Sequence, residues 1–332
     1  MISSRLTRRS VIYIGIFCCA LLVPLYAQLT QDAYLLSMAS RMLIYALAAL
    51  SLDLLIGYGG LVSFGHAAYV GIGAYTVGIL SFHSMEGSPI GFLPGHWEGS
   101  ESALVSLPLA MLSAGLGALV FGALSLRTRG IHFIMITLAF AQMLYYLCIS
   151  LYRYGGEDGL LLAGRNQLPG LDLYNDLHFY GLCLACLLLY GWLIRRLLNA
   201  RFGQVIRAGK QNEQKLQALG FASYRYQLLA FVIAGMGAGL AGGLLANQTE
   251  FVSPDLLSWH LSGVLMVMVI LGGLGTLLGP VMGAVAYLLM EEVLAGYTEH
   301  WQLILGPLLL LVVLFSRKGI FGLLAGKEAE DG

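Results

Sequence analysis

The chain has 332 residues, 58% of them hydrophobic and 11% charged, with 18 basic and 18 acidic residues and a mean hydropathy of +0.79. A soluble domain carries about 25% charged residues, so a water-soluble globular fold is excluded. The apolar runs are far too long for barrel strands, which leaves an all-α integral membrane protein. No basic excess supports a nucleic-acid partner.

Arg5, Arg8 and Arg9 precede an apolar run over residues 11–27. The run resembles a signal core, but it is long for one and short for a span, and it reads as a retained first helix. Further stretches free of charge follow. The one over 256–290 would be about 52 Å long as a single helix against a hydrocarbon core of about 30 Å, so it must break. Gly272, Gly273, Gly275 and the Gly279-Pro280 pair mark the break, and Gly57, Gly59 and Gly60 mark another within 33–85. The chain is therefore one transmembrane unit over 1–332. Ten passes are predicted, near 10–28, 36–57, 61–82, 103–126, 131–151, 178–198, 226–246, 259–275, 277–295 and 300–316, or eight or nine if a glycine-rich segment is re-entrant. With both termini cytoplasmic, 15 of the 18 basic residues fall inside; Arg41, Arg153 and Arg165 do not. That bias matches the positive-inside rule.

Two outer loops are predicted, 83–102 and 153–177, each rich in turn residues and able to serve as plain connections or as landing sites for a soluble partner. The remaining long polar segment, 199–225, is different. Residues 195–225 hold seven Lys/Arg against one carboxylate, Glu213. Val205, Ala208, Leu216 and Leu219 recur at roughly helical spacing, with Arg207, Lys210 and three glutamines between them. The pattern predicts a short amphipathic helix at the membrane surface, ended by Gly220 in a left-handed C-terminal position. Gly209 and Asn212 weaken that helix, and a basic loop that merely fixes topology is the simpler alternative.

Residues 57–75 read GYGGLVSFGHAAYVGIGAY, and 272–284 read GGLGTLLGPVMGA. Each glycine would cost a helix about 1 kcal/mol relative to alanine. In a membrane such density serves close packing or a break that lines a cavity. A cavity lined by Gly59, Gly60, Ser63, His66, Gly272 and Gly273 is the candidate solute pathway, expected from the helix breaks alone. Asp53 reads as a helix-end residue capping a glycine-rich break, and His66 as a packing group. Cys183 and Cys186 form a CxxC within an apolar run with no second pair, which favours core residues over a metal or redox site. No phosphate-binding GxxxxGK[ST], catalytic triad or paired-carboxylate motif is present.

The first of these motifs, with RGIHFIMITLAFAQ (129–142), GGEDGL (155–160), the segment 201–235 and the second glycine-rich motif, resembles the permeases of bacterial branched-chain amino acid ABC importers, the M-type subunit more than the H-type. The resemblance runs from about residue 40 to 324. It implies a multi-pass translocation subunit of the bacterial inner membrane with no catalytic residues, no metal and no cofactor of its own. ATP would be bound by two partner ATPase subunits, alongside a second related permease and a periplasmic substrate-binding protein, all working in membrane lipid. It further implies that 199–225 carries the coupling helix, with Arg207, Glu213, Leu216, Leu219 and Gly220 in the ATPase-coupling role. Where relatives commonly read Arg-Ala-Ile-Arg, this chain has Arg207, Ala208, Gly209 and Lys210, which bears on partner choice. Urea or short-amide import is an alternative within the family. An ion-coupled carrier is an alternative from another class, disfavoured by the scarcity of mid-membrane carboxylates.

Overall fold

A computed structural model describes residues 15, 22–27, 29–30, 33–89, 98–298, 300–315 and 319–325. Most of the predicted first segment, 10–28, lies outside these residues, and so does the middle of the 83–102 loop. Every other predicted span has a helix. They are α1 (Ala33–Asp53, continued by a π-helical turn over Leu54–Tyr58), α2 (His66–Glu86), α3 (Ala103–Ser125), α4 (Ile131–Ser150) and α5 (Asp176–Asn199). After the polar segment come α8 (Ser223–Thr249), α9 (Trp259–Gly272), α10 (Gly279–Tyr297) and α11 (Trp301–Phe315). Among the described residues, six helices are long and apolar enough to cross a membrane.

The helix α8 forms the centre of the bundle. Its glycines and alanines are buried on every side, from Ala230 to Ala246. Lipid tails are as apolar as leucine, so close packing rather than hydrophobicity holds such helices together. The carbonyl of Gly239 fills the place a Cβ would take on Gly73 of α2, the carbonyl of Val70 does so for Gly242, and Ala118 of α3 presses on Gly235. The peripheral helices show the opposite pattern. On α4 the buried positions are Phe133, Thr137 and Ala141, one narrow stripe at four-residue spacing, whereas Met135, Met143 and Leu147 face outward. An outer face this apolar suits hydrocarbon.

The predicted span 259–275 is shorter than expected. As a helix α9 has 14 residues, about 21 Å against about 30 Å of hydrocarbon. The chain before it dips into the bundle as a short strand (β2, Phe251–Val252) and a 3₁₀ turn over Pro254–Leu257, whose Leu257 packs on Gly71. Irregular backbone at such depth is tolerated where protein covers it. Glycine periodicity in the sequence carries no sign of this dip.

The turns sort to two ends. At one end the 153–177 loop is folded rather than loose. Its strand β1 (Leu160–Leu161) pairs antiparallel with β2 through Leu160↔Val252 and Leu161↔Phe251. Arg165 donates to the Leu173 carbonyl at 3.0 Å and to Asp176 at 2.8 Å, lies 3.8 Å from Glu250, and stacks 4.9 Å over Phe179. Asn166 donates its amide to Asn247 at 2.7 Å and its side chain to Ser106 at 2.7 Å. Arg165→Ala should loosen this loop by about 1.5–3 kcal/mol, the range for hydrogen bonds from charged groups. Faster proteolytic cutting within 153–177, with the helices intact, is the expected readout.

Candidate functional site at the basic end

At the other end, 199–225 meets the two glycine-rich breaks. The single amphipathic helix predicted there is two helices, α6 (Arg201–Gln211) and α7 (Glu213–Ala218). Asn212 separates them. Its backbone is extended, and its side chain accepts from the Lys215 amide at 2.9 Å, which starts α7 in the usual N-cap manner. The buried face consequently shifts. Phe202, Val205, Ile206 and Leu216 point inward, while Ala208 and Leu219 are exposed. Gly220 follows with φ +86°, the left-handed position expected of it.

Glu213 joins three elements. It stands 3.2 Å from Arg129 in the α3–α4 turn, accepts from Ser223 of α8 at 2.8 Å and from Gln217 of its own helix at 3.2 Å. Arg207 stacks 5.5 Å over the ring of Tyr58 in the π-helical turn. Lys210 donates from Nζ to the Gly57 carbonyl at 2.6 Å. Gly60 has φ +68° and leaves room for the Lys210 stem, which lies within 2.9 Å of where a Cβ would stand. The π-helical turn itself is held by Gly59 and Gly60 amides donating to Leu54 and Ile56 at 3.2 Å. Such turns recur at functional sites because they free backbone groups. Here the freed carbonyl of Gly57 takes the lysine.

The second break arrives from the other side. Asp53, wholly buried, accepts from the Gly275 amide at 2.9 Å. The sequence predicts that Asp53 caps the glycine-rich break one turn further along its own helix. Its side chain makes no cap bond there and instead holds the second break, 222 residues away in sequence, because the α9–α10 turn packs against it. Gly272 and Gly273 close α9 against Gly279 and Gly319, the latter the first residue of α12 (Gly319–Ala325). Met268 and Gly283 are in equally close backbone contact, so α9 and α10 form a tight hairpin.

A cleft of about 250 Å³ opens between these parts, lined by Gly59, Gly60, Val62, Arg129, Phe133, Lys210 and Glu213 among others. Of the candidate pathway residues, Gly59 and Gly60 line it. Ser63 and His66 are buried between helices instead. Ser63 accepts from the Gly65 amide at 3.3 Å, and His66 Nε2 lies 2.8 Å from Ser51 Oγ. Gly272 and Gly273 do not line it either; they pack against Gly279 and Gly319 at the end of α9. Nothing in composition or spacing joins Arg129 to Glu213 or Tyr58 to Arg207, or links Lys210 to a carbonyl 153 residues away.

Apolar helices packed through glycine, with their polar contacts gathered where the chain turns, define a polytopic α-helical membrane protein. The chain belongs to the family described as branched-chain amino acid transport system / permease component, whose model matches residues 34–314. It is similar to the high-affinity branched-chain amino acid transport system permease protein LivM of Escherichia coli (strain K12), 26% identical over 306 residues covering 85% of this chain and 68% of the relative. LivM of Salmonella typhimurium is 28% identical over the same shares. The autoinducer 2 import system permease protein LsrC of Klebsiella pneumoniae is 36% identical over 141 residues, 40% of each chain. No solved structure matches. The chain is accordingly a multi-pass permease of the inner membrane, and its relatives are permease proteins rather than enzymes.

Proposed function

We propose that this chain is a permease subunit of an ATP-driven importer that carries branched-chain or related amino acids, with ATP bound and hydrolysed by two separate partner subunits. A second, related permease and a periplasmic substrate-binding protein complete the assembly, the latter received by the folded 153–177 loop and its neighbours. The observation that carries this reading is the build of α6–α7. Leu219 is 76% exposed and Phe221 43% exposed, and both follow an elbow tied into the bundle at three places, Gly57, Tyr58 and Arg129. Two outward apolar side chains on a basic surface suit docking to a soluble partner. Lys210, Arg207 and Glu213 then pass a push on that surface to α1, α3–α4 and α8 as a rigid-body movement. Glu213 acts inside this linkage rather than at the docking face.

Uptake of labelled leucine into cells with and without the gene, competed by isoleucine, valine, alanine and urea, tests the solute. Loss of leucine uptake on deletion is expected, and unchanged leucine uptake with lost urea uptake would reassign it. Leu219→Asp should abolish co-purification of the partner ATPase while leaving the permease in the membrane. Retained co-purification would remove the docking role. A second reading, the same machine for a different solute, draws on the LsrC relative, named for the import of autoinducer 2.

A further inference from the structure

Three charged side chains, Arg41, Glu291 and Glu292, sit on the facing helices α1 and α10, away from the basic end. Arg41 Nη2 lies 3.5 Å from Glu291 Oε1, and its guanidinium is 5.7 Å from the centre of the Tyr45 ring. Tyr34 donates to the neighbouring carboxylate, Glu292. Both helices are long and apolar enough to cross a membrane, the first span over Tyr34–Tyr58 and α10 over Gly279–Tyr297. Arg41 stands seven residues after Tyr34 and Glu291 six residues before Tyr297, about 10 Å and about 9 Å along the axes from those ends, so both lie within the spans rather than in a loop.

Ionised groups at that depth are kept from lipid by their desolvation cost, and they face protein or a watery route. The pair is nonetheless open, with 43% of the Arg41 side chain and 22% of the Glu291 side chain exposed. It is also loose. A clamp between two helices would close to about 2.7–2.9 Å and use the fork of the guanidinium in a bidentate manner, whereas here one nitrogen meets one oxygen. Beside it, Tyr45 also walls a wholly apolar crevice with Ile44, Ala48, Leu261 and Leu265, closed in this state to about 10 Å³.

We propose that Arg41 and Glu291 form a transit site for a zwitterionic amino acid. This inference rests on the amino-acid reading above. The α-carboxylate takes the fork of Arg41, the α-ammonium takes Glu291, and an aliphatic side chain enters the crevice beside Tyr45 once it opens. One ion pair is exchanged for two of the same kind, so no uncompensated charge is created. A neutral solute such as urea could hydrogen-bond to both partners but would part the pair without neutralising either charge, which is discrimination by unpaired charge.

The charge-swapped Arg41→Glu/Glu291→Arg protein tests this in the assembled transporter. The swap keeps an ion pair between α1 and α10, so a purely structural clamp would survive it. It reverses the polarity seen by the ligand, and an L-amino acid turned to match would point its side chain away from the crevice. Leucine uptake should fall at least tenfold with an unchanged melting temperature. Arg41→Lys, which keeps the charge but loses the fork, should lower maximal leucine uptake about fivefold in a protein of wild-type stability, and it decides the matter if the swap does not fold. Wild-type uptake by the swap, or unchanged maximal uptake by Arg41→Lys, would overturn the site while leaving the amino-acid reading intact. A wild-type protein that moves no amino acid would overturn both.

Discussion

Lys210→Met is expected to give a folded, membrane-inserted permease that takes up its solute at less than a tenth of the wild-type rate. Methionine keeps the stem that packs on Gly60 but removes the donor to the Gly57 carbonyl, 2.6 Å away. A hydrogen bond from a charged group contributes about 1.5–3 kcal/mol, and about 1.4 kcal/mol corresponds to tenfold in an equilibrium. This bond is the hydrogen-bonded link between α6 and the π-helical turn of α1, beside the stacking of Arg207 on Tyr58. Without it, movement of α6–α7 passes only weakly to the turn that Asp53 connects to the α9–α10 hairpin. ATP hydrolysis by the assembled complex should persist while uptake fails, the mark of uncoupling. Uptake at the wild-type rate would show that force passes through the Arg207–Tyr58 stack or through Glu213 and Arg129 instead.

The largest loss of stability is expected from Gly242→Val. The carbonyl of Val70 already occupies the position a Cβ would need, and the obstacle is hydrogen-bonded helix backbone, which cannot swing aside. Overpacking a close-packed interior costs typically 1–3 kcal/mol and sometimes more; at this crossing about 3 kcal/mol or above is expected. The comparison is Gly181→Val on α5, where a Cβ would meet nothing within 4 Å. Thermal unfolding in detergent should show Gly242→Val strongly lowered or not recoverable, and Gly181→Val near wild type. Equal behaviour of the two would mean that the α2–α8 crossing does not hold the bundle.

Both outcomes depend on contacts of a kind that hydropathy does not record. Leu216 and Leu219 illustrate the difference. They share a periodic pattern in the sequence, yet Leu216 is buried and Leu219 is open, because α7 ends at Ala218 and Leu219 closes it instead of continuing its inward face. The 250–258 segment makes the same point. Its polar and turn-forming residues read as a loop, and burial against Gly71 and the neighbouring helices draws it into the bundle.

Membrane residence, the approximate ends of the described helices, the breaks at the two glycine-rich motifs and membership of the family were all legible in the residues. Each depends on local apolarity or local backbone preference, which lipid and glycine enforce segment by segment. The joining of Asp53 to Gly275, of Lys210 to Gly57 and of Arg41 to Glu291 was decided by the tertiary structure alone. These partners lie 222, 153 and 250 residues apart, and their meeting depends on which helices pack side by side. That choice is made by the shapes of glycine-lined surfaces, and apolarity, nearly uniform along these helices, cannot encode it.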